Sequence, residues 1–230
     1  MKNGTIPSLP ARLIVNGCSG SGKTQLLVNL LCKSEFYGAD KNGHHYFDQI
    51  FLFSPTAGKL DDLCSHLLKH TPLTEDHIFN EFDQKLLTGI MNSQKKKIEK
   101  EKDISKSKKT LIMLDDIQSD QKFLKSKVLL ELYLQSRHYN ISMFLLGQCW
   151  TKSPRSIRLQ ASNIIFFPCT GSELKLLTDE FCPHNITKNE FREMFNFCCS
   201  ERFQFMHINM TTPPHERFRK NLDKILELKK

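Results

Sequence analysis

The sequence predicts an α/β fold, a three-layer sandwich with a mainly parallel central sheet. Short apolar runs of β-forming residues alternate along the 230 residues with longer segments whose apolar residues recur at helical spacing, as expected of parallel strands joined by helices. A glycine-rich segment directly follows the first apolar run and leads into a helix. A later apolar run ends in two adjacent carboxylates. These features indicate a sheet that carries its functional side chains where its strands end.

In the N-terminal half, the pattern predicts three strands and two helices. The strands are expected at residues 13–15, 50–53 and 110–114. A helix is expected to start near Lys23, because leucines recur on one face at positions 26, 27, 30 and 31. Leu86 and Ile90 indicate a second helix, which passes into a lysine-rich stretch.

In the C-terminal half, three further strands are expected. They are placed at residues 142–146, 164–167 and 203–208. Leu124, Val128 and Leu132 recur at four-residue spacing and predict a helix before the first of these strands. Two more helices are expected after Gly171, and a basic helix at about residues 215–230.

The chain has the length of one domain, and we find no internal repeats, so residues 1–230 are expected to form a single domain. The lysine-rich insertion at about residues 93–109 includes the run KKKIEKEKDISKSKK. Two interpretations stay open for it. It is either an exposed helix end followed by a mobile loop, or a loop whose lysines contact DNA phosphates. The net charge of +8 and the pI near 9.0 favour an anionic partner such as nucleic acid.

Composition argues against a secreted or membrane-spanning protein. No apolar run approaches the roughly 20 residues that a membrane span needs, and the N-terminus lacks a basic segment followed by an apolar one. The eight cysteines include no CxxC pair and no ligand-like Cys/His spacing. Reduced, structural thiols inside a cell are therefore expected.

The segment at residues 17–24 matches the pattern GxxxxGK[ST] at every position. Its residues are Gly17, Cys18, Ser19, Gly20, Ser21, Gly22, Lys23 and Thr24. Glycines allow the backbone to wrap around a phosphate, so that successive N–H groups point at it and the helix N-terminus adds its positive dipole end. Lys23 can reach the β- and γ-phosphates, and the Thr24 hydroxyl can ligate Mg²⁺. The segment therefore predicts a P-loop that binds ATP with Mg²⁺.

The apolar run at residues 110–114 ends in Asp115 and Asp116, the pattern of a Walker B motif. Asp115 is expected to hold the magnesium ion, and Asp116 to polarise the water that attacks the γ-phosphate. In motors that hydrolyse ATP, the base after the magnesium-binding Asp is commonly Glu. The Asp side chain is one methylene shorter, so the attacking water must lie closer to Asp116. Two adjacent acids could instead cap a helix.

The strand at residues 142–146 ends in Gly147-Gln148, and in additional-strand NTPases this strand lies between the P-loop strand and the Walker B strand. Gln148 is then a candidate either to sense the γ-phosphate or to orient the attacking water. Arg137 precedes the same strand and belongs at the opposite end of the sheet, away from its own P-loop. It is either an arginine finger for a neighbouring subunit or a residue of a surface salt bridge. Arg155 and Arg158 follow the strand and are candidates nearer to the local site.

These motifs resemble those of the FtsK–HerA class of DNA-pumping ATPases, and more closely the poxvirus-type genome-packaging ATPases of large DNA viruses, virophages and Polinton-type elements. The resemblance covers about residues 10–170 and rests on LIVNGCSGSGKT, IFLFSPT, TLIMLDD and SRHYNISMFLLGQCWTKSPRSIR. It implies a RecA/FtsK-like sheet of order 5-1-4-3-2, with strands numbered along the chain. It also implies a homo-oligomeric ring that hydrolyses ATP to move double-stranded DNA into a capsid.

By matching motifs, the resemblance assigns phosphate and metal binding to Lys23 and Thr24, Walker B roles to Asp115 and Asp116, and sensing to Gln148, with Arg137 as the candidate finger. It further implies action inside the infected host cell, in the nucleus or a cytoplasmic virus factory, and association with the virion. Capsid or portal proteins are the implied partners. The apolar face of the C-terminal helix is expected either to pack on the domain or to dock to such a partner.

Two other function classes fit part of the pattern. A P-loop nucleotide kinase would share the size and the P-loop, but it usually needs an arginine-bearing lid that Arg155 and Arg158 are too few to supply. A DNA-binding switch or loader would bind ATP and hydrolyse it slowly. The paired acids and Gln148 favour hydrolysis over both. The insertion before the Walker B strand has no clear counterpart in the packaging family, and no nuclease or membrane segment is expected.

Overall fold

The computed structural model describes residues 7–55, 62–104 and 107–226. Within those residues, the strands join into one nine-stranded sheet of order β3-β2-β4-β5-β1-β6-β7-β8-β9. The strands are β1 (Arg12–Asn16), β2 (Gln49–Phe53), β3 (Ile78–Phe79), β4 (Thr110–Leu114), β5 (Ile141–Gly147), β6 (Asn163–Phe166), β7 (Met206–Asn209), β8 (Phe218–Lys220) and β9 (Lys224–Ile225).

Helices connect and cover these strands. They are α1 (Lys23–Cys32), α2 (Asp62–His70), α3 (Gln84–Glu101), α4 (Gln121–Leu124), α5 (Lys127–Gln135), α6 (Arg155–Arg158), α7 (Gly171–Phe181) and α8 (Lys188–Cys198). Short 3₁₀ turns occur at Glu75–His77, Ile117–Ser119, Ser136–Tyr139, Trp150–Lys152 and Pro214–Glu216. Among the described residues, no helix is long and apolar enough to cross a membrane.

The five central strands confirm the predicted α/β fold and run in the predicted order. Strand β5 lies between β1 and β4, with Val15 paired to Leu146 and Leu114 paired to Leu145, all in parallel. The parallel register brings the carboxyl ends of β1, β4 and β5 to one edge of the sheet. The full strand order differs from the prediction only by additions, β3 beyond β2 and the antiparallel strands β7, β8 and β9 beyond β6.

Successive side chains of β1 point to opposite faces of the sheet, and each face carries its own layer of the hydrophobic core. Leu13 and Val15 pack on one face with α1, while Ile14 packs on the other. The second face is covered by α3, α5, α7 and α8, through side chains such as Leu132 and Phe191. Full burial of each such side chain stabilises the fold by about 1.5–3 kcal/mol relative to exposure, so both faces of the P-loop strand are anchored.

The predicted basic helix at residues 215–230 is wrong. A 3₁₀ turn at Pro214–Glu216 is followed by β8 and β9, and residues 227–230 lie outside the described residues. The helical spacing of apolar residues is overridden because Phe218 pairs with Ile208 on the free edge of β7. Its ring also packs against that of Phe191, 5.7 Å away, which gives the segment its burial without a helix.

Other boundaries differ by a few residues. The predicted strand at residues 203–208 starts only at Met206, and the helix through Leu124 and Leu132 is broken where Ser126 caps α5 by accepting a hydrogen bond from Leu129 N–H. The lysine-rich insertion is helical as far as Glu101, and its lysines on α3 are exposed. Residues 105 and 106, where the predicted mobile loop would lie, are outside the described residues.

Candidate active site

The edge formed by the carboxyl ends of β1, β4 and β5 brings three predicted motifs together. The backbone N–H of Gly17 donates to the carbonyl oxygen of Gly147 at 3.1 Å, so the P-loop starts beside the end of β5. The N–H of Asp115 donates to the carbonyl oxygen of Phe53 at 2.9 Å, which ties the acidic pair to the end of β2. Residues 17–24, the acidic pair and Gln148 therefore share one edge of the sheet.

The glycines of the P-loop are required by its backbone path. Gly22 has a φ of +104°, a conformation that side chains oppose. At Gly17, a Cβ atom would lie 2.6 Å from Ser21 Oγ and 2.7 Å from Phe167 Cβ, so no side chain fits there. The N–H of Leu26 donates to the carbonyl of Gly22 at 2.9 Å and opens the first turn of α1. The loop thus ends at a helix N-terminus, where the helix dipole favours an anion.

Lys23 points its ammonium group back into the P-loop. Its Nζ donates to the carbonyl oxygens of Gly17 at 2.5 Å and of Cys18 at 2.9 Å. Burial lowers the pKa of Lys23, while the negative charge of Asp115 acts in the opposite direction. The ammonium group lies where the loop curves around it, and phosphate oxygens could replace the two carbonyls as its acceptors.

Three buried polar atoms at this edge have no hydrogen-bond partner within the described part of the chain. They are Ser21 Oγ and both polar atoms of the Asn16 side chain. Buried polar atoms are normally paired, because an unpaired one costs about 1–3 kcal/mol. Two of the three, the Ser21 hydroxyl and the Asn16 Nδ2 group, can donate hydrogen bonds, which fits a loop that surrounds an anionic group.

The two acids differ in their surroundings. Asp115 Oδ2 accepts a hydrogen bond from Ser54 Oγ at 3.1 Å, a contact between the ends of β4 and β2. Asp116 Oδ1 accepts one from Gln148 Nε2 at 3.2 Å. Asp116 also has a left-handed backbone with a φ of +49°, which is uncommon for a residue with a Cβ atom and costs on the order of 1 kcal/mol. The chain therefore holds Asp116 in a strained turn against Gln148.

Gln118 is a site residue that the sequence analysis missed. Its Oε1 accepts hydrogen bonds from the backbone N–H groups of Gln148 at 2.9 Å and Cys149 at 2.8 Å. Its Nε2 donates to the Cys149 carbonyl at 2.5 Å and to Ser153 Oγ at 3.3 Å. A Cβ atom on Gly147 would lie 2.5 Å from that nitrogen. The only signal in the sequence is a glutamine two residues after the acidic pair, and nothing there indicates its partners.

Glu173, also missed, holds the same loop from α7. Its buried carboxylate accepts hydrogen bonds from the backbone N–H of Trp150, from the N–H of Thr151 at 3.2 Å and from Thr151 Oγ1 at 3.0 Å. Cys149 Sγ donates to it at 3.3 Å. The segment after β5 is therefore fixed from both sides, by Gln118 and by Glu173.

The three candidate arginines occupy different environments. Arg137 is exposed in the 3₁₀ turn before β5, at the edge opposite the P-loop, where burial and then the charge of Arg137 lower the pKa of Arg12. Arg155 is exposed at the start of α6. Arg158 is buried in an ion pair with Glu180 and also donates to the Ser153 carbonyl. Arg158 is therefore committed to the fold, while the other two are accessible.

A family model described as Poxvirus A32 protein matches residues 3–208. No curated protein sequence matches the chain. The family match extends over the P-loop, the acidic pair and Gln148, and continues into β7. It confirms the resemblance to a poxvirus-type family that the sequence motifs indicate.

Among solved structures, the chain is similar to the genome packaging NTPase B204 from Sulfolobus turreted icosahedral virus 2. The AMP complex is 12% identical with a TM-score of 0.59, and the ATP-γ-S complex is 13% identical with a TM-score of 0.55; each comparison covers 88% of this chain and 94% of that one. The pCW3 conjugation coupling protein TcpA is 14% identical with a TM-score of 0.57, over 88% of this chain and 58% of that one. At these identities, the likeness establishes a shared P-loop NTPase fold.

Proposed function

This chain belongs to the poxvirus A32 protein family, and from that membership we propose that it is a motor that hydrolyses ATP to move double-stranded viral DNA into a capsid. The family match identifies a packaging ATPase, the enzyme class that the sequence predicts. The observation that carries the finer proposal is the convergence at one sheet edge of the P-loop, the acidic pair and Gln148. B204 from Sulfolobus turreted icosahedral virus 2, which shares the fold, is described as a genome packaging NTPase.

The P-loop binds the phosphates in this proposal. Backbone N–H groups of residues 17–24 and the Lys23 ammonium group surround the β- and γ-phosphates. Thr24, exposed in the first turn of α1, and Asp115 supply oxygen ligands that suit Mg²⁺. The metal ion would neutralise charge that develops on the phosphate oxygens during transfer.

Asp116 is the proposed base and Gln148 the proposed sensor. Asp116 accepts a proton from the attacking water, whose oxygen bonds to the γ-phosphorus as the bond to the leaving ADP oxygen breaks. The hydrogen bond from Gln148 Nε2 at 3.2 Å orients the Asp116 carboxylate. Because the Asp side chain is short, the rigid loop around Gln148 sets how close the water must lie.

A ring of identical subunits, each of them a single P-loop domain, would complete the site. Arg137 is exposed at the end of the sheet opposite the P-loop, away from its own nucleotide site. In a ring, it would act on the nucleotide of a neighbour. The lysines on the exposed end of α3 offer a sequence-independent contact to DNA phosphates. Such a motor acts in the infected host cell, in the nucleus or a cytoplasmic factory, with capsid or portal proteins as further partners.

The first test is ATP hydrolysis over a series of protein concentrations, with and without long double-stranded DNA. We expect the turnover per subunit to rise with concentration and with DNA. Asp116→Asn is expected to lower it at least about 100-fold through loss of the base. Asp223→Asn, at an exposed position outside the site, is the matched control and should match the wild type.

Three results would contradict different parts of this proposal. ATP turnover that does not change with DNA and requires a small phosphate acceptor would indicate a nucleotide kinase. Binding of ATP and DNA without turnover, at every concentration and with capsid components added, would indicate a DNA-binding switch or loader. Equal turnover of the Asp116→Asn variant and the wild type would remove Asp116 from the role of base.

A further inference from the structure

A cavity of about 340 Å³ opens beside the P-loop. Its lining includes Gly22 from the loop, Gln25 and Asn29 from α1, and the rings of Phe167, Phe203 and Phe205; we call it the aromatic pocket. Phe167 follows β6, and its ring lies 5.2 Å from that of Phe205, centroid to centroid. The pocket therefore joins the phosphate-binding loop to an aromatic wall, a combination typical of sites for planar ligands.

Phe203 is unusual in both its backbone and its exposure. Its φ is +68°, in the left-handed region that bulky residues avoid. Its side chain is 52% exposed, and the Arg202 guanidinium lies 4.6 Å from the ring centroid. A strained backbone that holds a large apolar ring in solvent contributes nothing to core packing. Strain of this kind clusters at ligand sites, where it pre-organises a contact.

The ring of Phe203 lies directly over the end of the P-loop. A Cβ atom on Gly22 would lie 3.0 Å from Phe203 Cδ1, so a side chain at position 22 would press on the ring. A nucleotide held by its phosphates at residues 17–24 must extend its sugar and base onto a surface next to the loop. The aromatic pocket shares Gly22 with the loop and continues along α1 past Gln25 and Asn29.

We propose that the aromatic pocket binds the base of the nucleotide, with the base stacked on Phe203. The inference rests on the proposed ATPase function, because it assumes that the P-loop binds the phosphates. Base–aromatic stacking tolerates any base, since each one has a π face. At the rim, Gln25 Nε2 donates to Asn29 Oδ1 at 3.4 Å, so two carboxamides border the edge of the base.

The test separates the base from the phosphates by comparing ATP, GTP and inorganic tripolyphosphate as ligands, with dissociation constants measured by calorimetry on the full chain. Phe203→Gly removes the ring and suits the left-handed backbone, so the variant should unfold at the same temperature as the wild type or at a higher one. We expect it to weaken ATP and GTP binding about 5- to 100-fold and to leave tripolyphosphate binding within about twofold of the wild type, since that ligand has no base to stack.

Two further variants complete the design. Phe203→Tyr keeps an aromatic face and should restore ATP affinity. Phe197→Gly is the control, because Phe197 is 46% exposed in α8 and contacts Lys220 and Lys224 away from the P-loop. It should leave the binding of all three ligands unchanged.

The outcomes separate this inference from the proposed function. Unchanged ATP affinity in Phe203→Gly would overturn the base pocket while leaving the ATPase intact. An equal loss of ATP and tripolyphosphate would also overturn it, since the ring would then support the loop rather than the base. A wild-type protein that binds neither ligand would overturn the proposed ATPase and this inference with it.

Discussion

Gln118 fixes a loop that lies 30 residues away in the sequence. Its carboxamide accepts hydrogen bonds from two backbone N–H groups and donates to a carbonyl and a hydroxyl. It therefore supplies, beyond the end of β5, backbone hydrogen bonds of the kind that a neighbouring strand would make. The same turn holds Asp116 in its left-handed conformation. At the scale of single residues, one buried glutamine therefore fixes the backbone that carries Gln148, the proposed sensor, beside Asp116, the proposed base.

Replacing Gln118 with Ala leaves the buried N–H groups of Gln148 and Cys149 without their acceptor. We expect the free energy of unfolding to fall by about 1–3 kcal/mol. Steady-state kinetics should show a lower kcat for ATP with a smaller change in KM, because Gln148 loses its position while the P-loop keeps its own. Gln121→Ala, which removes one hydrogen bond to the Gln118 carbonyl, is the control. An unchanged kcat in Gln118→Ala would limit Gln118 to a role in stability.

At the scale of elements, β7 brings a buried histidine between β6 and β8. The His207 ring forms a hydrogen bond with the Asn163 side chain on β6, 2.9 Å from Nε2 to Oδ1. In the strand register, His207 lies opposite Arg219 on β8. Burial, and then the charge of Arg219, lower the pKa of His207 to about 3. The folded protein therefore keeps this imidazole neutral, whereas the unfolded chain protonates it near pH 6.5.

Stability should consequently depend on pH through His207. Above pH 6.5 neither state binds the proton. Between pH 6.5 and about 3 the unfolded state alone binds it, so the free energy of unfolding falls as the pH falls. From pH 7 to pH 5 the loss is about 2 kcal/mol, measurable by urea unfolding. His207→Gln should remove this part of the pH dependence, and His215→Gln, at an exposed position, should retain it. The same slope in all three proteins would contradict the assignment.

The central strands were predictable because each is an apolar run bounded by turn residues, and the P-loop because its chemistry needs eight consecutive positions. Strands β8 and β9 were not, since Phe218 takes its structure from pairing with β7, which local spacing does not encode. Gln118 and Glu173 were missed for a related reason. Their partners in residues 148–153 lie 22 or more positions away, and only the folded chain brings them together.

At the scale of the whole molecule, the two edges of the sheet carry complementary groups. The P-loop and the acidic pair lie at the carboxyl ends of the strands, and Arg137 lies at the opposite ends. A closed ring in which each subunit presents one edge to the next would supply every nucleotide with an arginine from its neighbour. Hydrolysis would then require assembly.

Mixing two inactive variants tests that arrangement. Arg137→Ala keeps its own acids, and Asp116→Asn keeps the arginine for its neighbour. Arg137→Ala alone should lose at least about 1,000-fold in kcat if the arginine acts across subunits, and Asp116→Asn alone at least about 100-fold. A one-to-one mixture should regain activity at about a quarter of its sites, those in which an intact acid meets an intact arginine. A mixture as inactive as its parts would place Arg137 outside the site, and Arg155→Ala would be the next variant to assay.

Among the described strands, the two that end the sheet, β3 and β9, are each only two residues long. Such short edge strands present few unpaired backbone N–H and C=O groups, which makes the addition of a strand from another chain unfavourable. Neighbouring subunits would then have to associate through side chains rather than by extending the sheet. A contact of that kind can separate and re-form without unravelling secondary structure, so subunits could shift against one another during each turnover while their cores stay intact.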